Sequence, residues 1–128
     1  MPTSRYQYPF EKLRVWQDAR VLCRKVYTAT AAFPGRETYG MVSQMNRAAV
    51  SVAANLAEGS ARASARDQAH FSQMAYGSLM ETACLAIIAL DANLLLPKQE
   101  EDLRQDIELV SRQIDSLRKS QLARASGK

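Results

Sequence analysis

Positive charge is concentrated near the N-terminus, in a pattern suited to binding the phosphates of a nucleic acid. The first 36 residues carry a net charge of +5, against +4 for the whole 128-residue chain. Tyr6 and Tyr8 precede these cations and offer rings on which bases can stack. Two more cations, Arg62 and Arg66, lie in a predicted connection between helices. The candidate nucleic-acid-binding residues are Lys12, Arg14, Arg20, Arg24, Lys25, Arg62 and Arg66. The alternative is an ordinary solvated surface on which arginine stems cover apolar neighbours.

Catalytic chemistry has little support. The chain has one histidine, His70, and no motif of a Ser-His-Asp or Cys-His enzyme surrounds it. Asp67 and His70 form a single Asp-x-x-His, whereas a ferritin-like di-metal site needs two Glu-x-x-His pairs and two further glutamates. Cys23 and Cys84 lack metal-ligand spacing and are expected to be reduced and mostly buried. We therefore expect no enzymatic activity, no metal ion and no cofactor.

A second polar pattern follows the second predicted helix and continues into the third. A hairpin folded about residue 62 places Arg47 opposite residues 77–81, which predicts an ion pair between Arg47 and Glu81. Glu58 is expected to meet Arg62 or Arg66. These polar residues either fix a helix register or an interface, or they contact a ligand. The structural polar motif comprises Gln44, Arg47, Ser51, Asn55, Glu58, Gly59, Ser78 and Glu81.

Apolar spacing predicts the helices that must position these side chains. Apolar residues recur at steps of three and four in segments that run from Phe10 to before Pro34, from Glu37 to Gly59, from about Ser64 to Leu95, and from Pro97 onwards. Because the connections are short, neighbouring helices must be antiparallel. The predicted fold is all-α, an up-down-up-down four-helix bundle over residues 10–121. Residues 1–9 are expected to be an extended arm and residues 122–128 a frayed tail.

Particular residues are expected to hold these helices. Phe10 and Trp16 anchor the first helix, and Trp16→Ala should cost about 3–5 kcal/mol if the indole is fully enclosed. Gly59 is a predicted C-cap, and Gly77 is expected to permit a close approach of backbones. The fourth helix is seated by Leu103, Ile107, Val110, Ile114 and Leu117.

The two middle helices have too few charges for an isolated bundle. Between Phe71 and Leu90 the only charge is Glu81, and residues 37–59 carry only Glu37, Arg47 and Glu58. One bundle core covers one side of a helix, so the other side needs a further cover, most simply another copy of the chain. We therefore expect a homo-oligomer. The sequence shows neither the apolar stretch of a signal peptide nor a membrane span, which favours a cytoplasmic protein with no membrane partner.

A series of short motifs over about residues 10–95 resembles the 23S rRNA-intervening-sequence proteins, a family of four-helix bundles. That family includes the accessory bundles of diversity-generating retroelements, which associate with a reverse transcriptase and nucleic acid. The resemblance implies a ring-like homopentamer with a central channel and no established enzymatic activity. The motifs are Phe10-x-x-Leu13-x-Val15-Trp16, Phe33-Pro34, Glu37-x-Tyr39-Gly40, Ser43-Gln44-x-x-Arg47-Ala48-Ala49-x-Ser51, Asn55-x-Ala57-Glu58-Gly59, Arg62 and Gly77-Ser78-x-x-Glu81.

Two functions are consistent with this pattern. The first is electrostatic binding of RNA or DNA, in which repeated copies of a modest +4 charge add into one positive surface. The alternative is a protein–protein scaffold or accessory subunit, with a protein partner such as a polymerase and no direct contact with nucleic acid. Salt separates the two, because contacts to phosphate weaken as salt rises whereas apolar docking persists.

Overall fold

The computed structural model describes residues 4–127 and folds them into four helices joined by short connections. The helices are α1 (Arg14–Thr30), α2 (Ser43–Ser60), α3 (Ala65–Asp91) and α4 (Pro97–Ala125). Each helix packs against the next along the chain, and α4 returns to pack against α1. The predicted all-α, up-down four-helix bundle is confirmed. In this arrangement α1 and α3 lie diagonally across the bundle from each other.

The core forms where the apolar stripes of the four helices meet. Leu22 of α1 and Leu79 of α3 are fully buried. The predicted stripe of α2 is buried from Met45 to Leu56, and that of α4 is buried from Leu103 to Ile114. Each such side chain gains roughly 1.5–3 kcal/mol from leaving water. These stripes therefore set the orientation of every helix.

The first helix begins later than its apolar spacing predicts. Pro9–Lys12 form a 3₁₀ turn, and Leu13 is extended (φ −80°, ψ 123°) before α1 begins at Arg14. The Glu11 carboxylate accepts the Tyr8 N–H at 2.8 Å, and the Gln17 amide donates to the Glu11 carbonyl at 2.8 Å. Bonds between side chains and backbone thus replace the first helical turn. Residues 4–8 precede this turn as an exposed, non-helical arm, while residues 1–3 lie outside the described part of the chain.

Local hydrogen bonds also move the junctions around α2 and α3. The backbone leaves the helical region at Gly40 (φ −111°, ψ −109°), so α2 begins at Ser43 rather than near Glu37. At the other junction Asn93 adopts a left-handed conformation (φ 62°), and the Leu94 N–H donates to the Ala89 carbonyl at 2.8 Å. This helix-terminating pattern ends α3 at Asp91, before the predicted end near Leu95.

The last helix continues beyond residue 121, into the segment predicted to fray. The Arg124 guanidinium donates to Gln68 Oε1 at 2.8 Å and to Ser120 Oγ at 2.9 Å. Closer to the middle of α4, the Gln121 amide oxygen accepts a hydrogen bond from the Ser72 hydroxyl at 2.7 Å in a buried contact. These bonds hold the last turn of α4 against α3 as far as Ala125.

Neither glycine has the role that the sequence predicts for it. Gly59 lies inside α2 rather than beyond its end, and a Cβ there would lie 2.8 Å from the Cβ of Phe71. Gly59 is therefore the residue that permits close approach of α2 and α3. A Cβ on Gly77 would have no atom of the described chain within 4 Å, so no such contact explains that glycine.

Helix α3 is the most apolar of the four. By length and composition it is able to cross a membrane, with a mean hydropathy of 1.3 over 18 residues, a test that core helices of soluble proteins also pass. In the bundle, α3 is packed between α2 and α4. Ser64 caps its N-terminus, and the Ser64 hydroxyl accepts the Asp67 N–H at 3.1 Å.

Candidate nucleic-acid interface

The cations of α1 divide between its two edges. On the edge beside α4, Arg14 lies 3.5 Å from Asp18, and the Lys25 ammonium lies 2.8 Å from Asp106. Arg20 and Arg24 lie one turn apart on the edge beside α2, and both are exposed. Within residues 4–127, neither has a carboxylate within 4.0 Å. The predicted cationic surface is thus neutralised on one edge of α1 and unpaired on the other.

Lys25 connects α1 to α4. Its ammonium also lies 3.3 Å from Asp102, so two carboxylates face one cation. The hydrogen bond that the Lys25 ammonium donates to Asp106 is the main cause that raises the pKa of Lys25 above its ordinary value of 10.5, while partial burial acts in the opposite direction. Lys25 is therefore held as a structural cation, although the sequence marks it as a candidate for phosphate binding.

The cations of the α2–α3 connection lie at the same end of the bundle as the N-terminal arm, because the end of α2 adjoins the turn at residues 9–12. Arg62 lies 3.9 Å from Glu58, which confirms one of the two predicted pairings of that glutamate. The Arg62 guanidinium also lies over the Phe71 ring at 4.5 Å. Arg66 and Lys12 are exposed, and neither is in an ion pair within the described residues.

A groove of about 570 Å³ separates α1 from α2 beside the unpaired arginines. Trp16 and Tyr27 line it from α1, Val50 lines it from α2, and Arg20 and Arg24 lie at its rim. Small side chains leave the space open on the α2 side, namely Ala53, Ala54 and Ala57. The groove has the size of a small-molecule site, and its lining is mainly apolar.

Aromatic rings lead from the arm to this groove. Tyr6 and Tyr8 meet edge to face at 5.5 Å, Tyr8 and Phe10 are parallel within 3° at 5.5 Å, and Phe10 meets Trp16 at 4.7 Å. The Arg20 guanidinium lies 5.5 Å from the centre of the Trp16 ring. Sequence reasoning treated the arm and Trp16 separately. The spacing of two between Tyr6, Tyr8 and Phe10 was the available signal, since alternate residues of an extended chain share one side.

Phe10 and Trp16 anchor α1 only in part. Both side chains are half-buried. Trp16 packs against the edge of the core, and Phe10 packs against Trp16. The indole was expected to be enclosed, but it lies instead in the wall of the groove. One side of Trp16 therefore serves packing, and the other faces the open space.

The centre of the predicted polar motif joins α2 to α3. The hydroxyls of Ser51 and Ser78 lie 2.8 Å apart, and the Asn55 amide donates to the Ser51 carbonyl at 2.9 Å and hydroxyl at 3.1 Å. The bond between the serines joins the two helices, and the Asn55 bonds, which lie within α2, hold Ser51 in place. The geometry thus agrees with the structural interpretation of the motif at its centre.

The ends of the motif behave differently. The predicted ion pair between Arg47 and Glu81 is wrong, since both side chains are exposed and neither has an opposite charge within 4.0 Å in residues 4–127. An exposed pair contributes little more than about 1 kcal/mol, which is not enough to hold two long side chains together. Gln44 is also exposed.

The remaining reactive side chains are dispersed. His70 is exposed and meets Phe71 edge to face at 5.8 Å. Cys23 is half-buried in the groove, where burial raises the pKa of its thiol, but Cys84 is exposed rather than buried. Across residues 4–127, no three His, Cys, Asp or Glu side chains lie close enough together to hold a metal ion.

The fold and the site define a four-helix-bundle protein with an unpaired cationic edge beside an aromatic groove. The family model of the 23S rRNA-intervening sequence protein matches residues 11–116, and the chain belongs to that family. The chain is also similar to the crystal structure of a protein of unknown function from the S23 ribosomal protein family of Bacteroides thetaiotaomicron. The TM-score is 0.74 at 18% identity, with 82% of this chain and 98% of that chain covered. At that identity the likeness shows the fold. Comparison with curated proteins gives no match.

Proposed function

We propose that this protein is a non-catalytic homo-oligomer that binds RNA or DNA through cations on α1 and at the α2–α3 connection. The observation that supports this function is the pair Arg20 and Arg24. They are exposed one turn apart, and within the described residues they have no carboxylate within 4.0 Å. Phosphates are the anions that such a pair of guanidinium groups binds best. Lys12 and Arg66 extend the same unpaired charge towards the arm.

The apolar exterior of α3 supports self-association. Five large apolar side chains of this helix are between 36% and 47% exposed, namely Met74, Tyr76, Met80, Ile87 and Ile88. Other copies of the chain would remove these side chains from water, and the family resemblance favours five copies in a ring. A closed ring buries a second face of each copy besides α3. In our proposal that second face excludes the edge of α1 that carries Arg20 and Arg24, so these arginines stay accessible.

Self-association multiplies a modest charge. One chain carries a net charge of +4, which gives a weak field. Copies arranged around one axis repeat Arg20 and Arg24 at fixed intervals, so that several phosphates of one strand are bound together. We therefore expect tight binding at low salt and weak dependence on base sequence.

Fluorescence anisotropy with labelled RNA and DNA tests this function. We expect complexes at about 50 mM salt that weaken steeply as salt rises, since bound phosphates release counterions. The double variant Arg20→Gln/Arg24→Gln should bind more weakly and show a shallower salt slope. A matched control, Arg36→Gln/Arg112→Gln, removes the same charge from exposed arginines elsewhere that already have carboxylate partners. No complex with either nucleic acid at about 50 mM salt would overturn the proposal.

The second candidate function is a scaffold for another protein. The same exposed side chains of α3 support it, because they offer an apolar surface to a partner such as a polymerase as readily as to a second copy. Apolar docking persists at high salt, whereas contacts to phosphate do not. A partner that stays bound in 1 M salt, combined with no binding of nucleic acid, would favour the scaffold.

A further inference from the structure

We infer that the groove between α1 and α2, together with the aromatic arm, binds the unpaired bases of single-stranded nucleic acid. This inference rests on the proposed function and specifies its ligand. The bases would stack on the rings that lead into the groove, while Arg20 and Arg24 hold the phosphates beside it.

The arm carries aromatic rings that are exposed to solvent. Tyr6 is 75% exposed and Tyr8 is 54% exposed, although both are large and partly apolar. Tyr8 and Phe10 are already parallel, and their centres are 5.5 Å apart. Both tyrosines thus leave part of the ring surface exposed to a further planar group. Proteins that bind single strands use such rings, since every base has a flat face and stacking tolerates any sequence.

The groove has one aromatic wall and one side lined by small residues. Trp16 and Tyr27 form an aromatic wall. On the opposite side, the short side chains of alanines 53, 54 and 57 leave space open. The volume of about 570 Å³ lies in the range of small-ligand sites and leaves room for a flat ring. A base in a duplex is stacked between its neighbours and shows only its edges, so a duplex has no free base face to place here.

The charged residues at the rim of the groove are cations. The residues that line the groove include two arginines, Arg20 and Arg24, and no acidic residue among those described. Arg20 already lies over the Trp16 ring at 5.5 Å. A base on the aromatic wall would therefore carry its own phosphate towards an unpaired guanidinium. The groove combines an apolar aromatic interior with a positive rim, which matches a nucleotide in both respects.

Trp16 supplies a direct test because it is the only tryptophan in the chain. Its fluorescence is followed while the whole protein is titrated with a single strand of about 12 nucleotides, with a duplex of equal length, and with an acidic amphipathic peptide. We expect the single strand to quench Trp16 at concentrations at least about tenfold below those at which the duplex does. Quenching by the peptide but not by the single strand would overturn the inference in favour of a docked protein segment.

Two matched pairs of variants locate the contact, with binding followed by anisotropy of a labelled strand. Tyr8→Ala should weaken single-strand binding about fivefold or more and leave duplex binding unchanged, whereas Tyr39→Ala, at a side chain 96% exposed elsewhere, should change neither. Ala54→Leu fills the groove and should also weaken single-strand binding, while Ala92→Leu, at an exposed alanine just after α3, should not.

The failure of this inference is distinguishable from the failure of the proposed function. If single strand and duplex bind equally and Tyr8→Ala has no effect, the groove is not a base site, yet electrostatic binding stands. If neither nucleic acid binds at about 50 mM salt, both proposals are overturned.

Discussion

Arg20 and Arg24 differ from Arg14 and Lys25 in whether a carboxylate lies within reach. All four are cations of one helix, yet Asp18 lies on its edge beside α4, and Asp102 and Asp106 approach that edge from α4. A paired cation must give up its partner before it binds a phosphate, while an unpaired one does not. Whether a cation of α1 is free to bind a phosphate therefore depends on which edge of the helix it occupies.

Trp16→Ala tests how the indole is divided between packing and the groove. A half-buried indole loses less on truncation than an enclosed side chain, so we expect a loss of about 1–3 kcal/mol in the free energy of unfolding. Leu22→Ala, at a fully buried position, should cost more, about 3–5 kcal/mol. Urea denaturation measures both. If Trp16→Ala were the costlier of the two, the indole would be part of the core.

Two glycine substitutions should have opposite effects. Gly59→Ala places a Cβ 2.8 Å from the Phe71 Cβ, and relieving that clash should cost about 1–3 kcal/mol of unfolding free energy. Gly77→Ala meets only open space in mid-helix, so better helix propensity should stabilise the chain by about 0.5–1 kcal/mol. Thermal unfolding of both variants measures these two changes in stability. A destabilised Gly77→Ala chain would mean that another molecule packs closely against this position.

At the scale of elements, apolar spacing predicts the four helices because each must bury one stripe in a common core. It does not predict where the helices begin and end. Side-chain bonds to backbone decide those points at Glu11 and Glu37, and a left-handed backbone conformation does so at Asn93. The candidate site is likewise predicted only in part by the sequence. The sequence identifies the cations, but the carboxylate of Asp102 that neutralises Lys25 lies 77 residues away. Only the packing of α1 against α4 shows which cations remain free.

The contact between α1 and α4 should depend on pH through Lys25. The pKa of Lys25 is raised in the folded chain, so its contribution to stability is fully present below the ordinary value of 10.5. That contribution is lost as pH rises through the higher folded value. We expect Lys25→Gln to cost at most about 1 kcal/mol of unfolding free energy at neutral pH, since the ammonium is partly exposed.

The alkaline dependence can be measured by urea denaturation between pH 8 and about pH 12. The difference in stability between the wild-type chain and Lys25→Gln should shrink above pH 10.5, whereas Lys25→Arg should keep its difference from the glutamine variant, since arginine stays charged. A difference independent of pH would show that the ion pair contributes nothing.

At the scale of the whole molecule, one side of the subunit is apolar and the opposite side is cationic. The exposed apolar side chains of α3 and the free arginines of α1 lie diagonally across the bundle. We expect these two sides to have separate tasks, with α3 covered by other copies and α1 left for nucleic acid. The sequence predicts the apolar excess of the middle helices, but only the structure shows that it lies away from the cations.

A charged substitution on α3 should separate association from folding. Met80 and Ile87 are exposed in the single chain, so Met80→Glu/Ile87→Glu should leave helix content and thermal stability of the subunit nearly intact. In an assembly the same change buries two unpaired carboxylates and should reduce the sedimenting mass to that of one chain. Leu109→Glu, at an exposed position of α4, is the control and should leave the assembly unchanged.

Sedimentation velocity of the purified wild-type chain, from about 1 to 100 µM, tests most directly whether copies of this chain cover each other's apolar helices and pool their charge. The expected result is a discrete species several times heavier than the 14.2 kDa chain at every concentration, with five copies favoured by the family resemblance. A single 14.2 kDa species throughout the range would contradict the account, because α3 would then be stable in water and the cations would act one chain at a time.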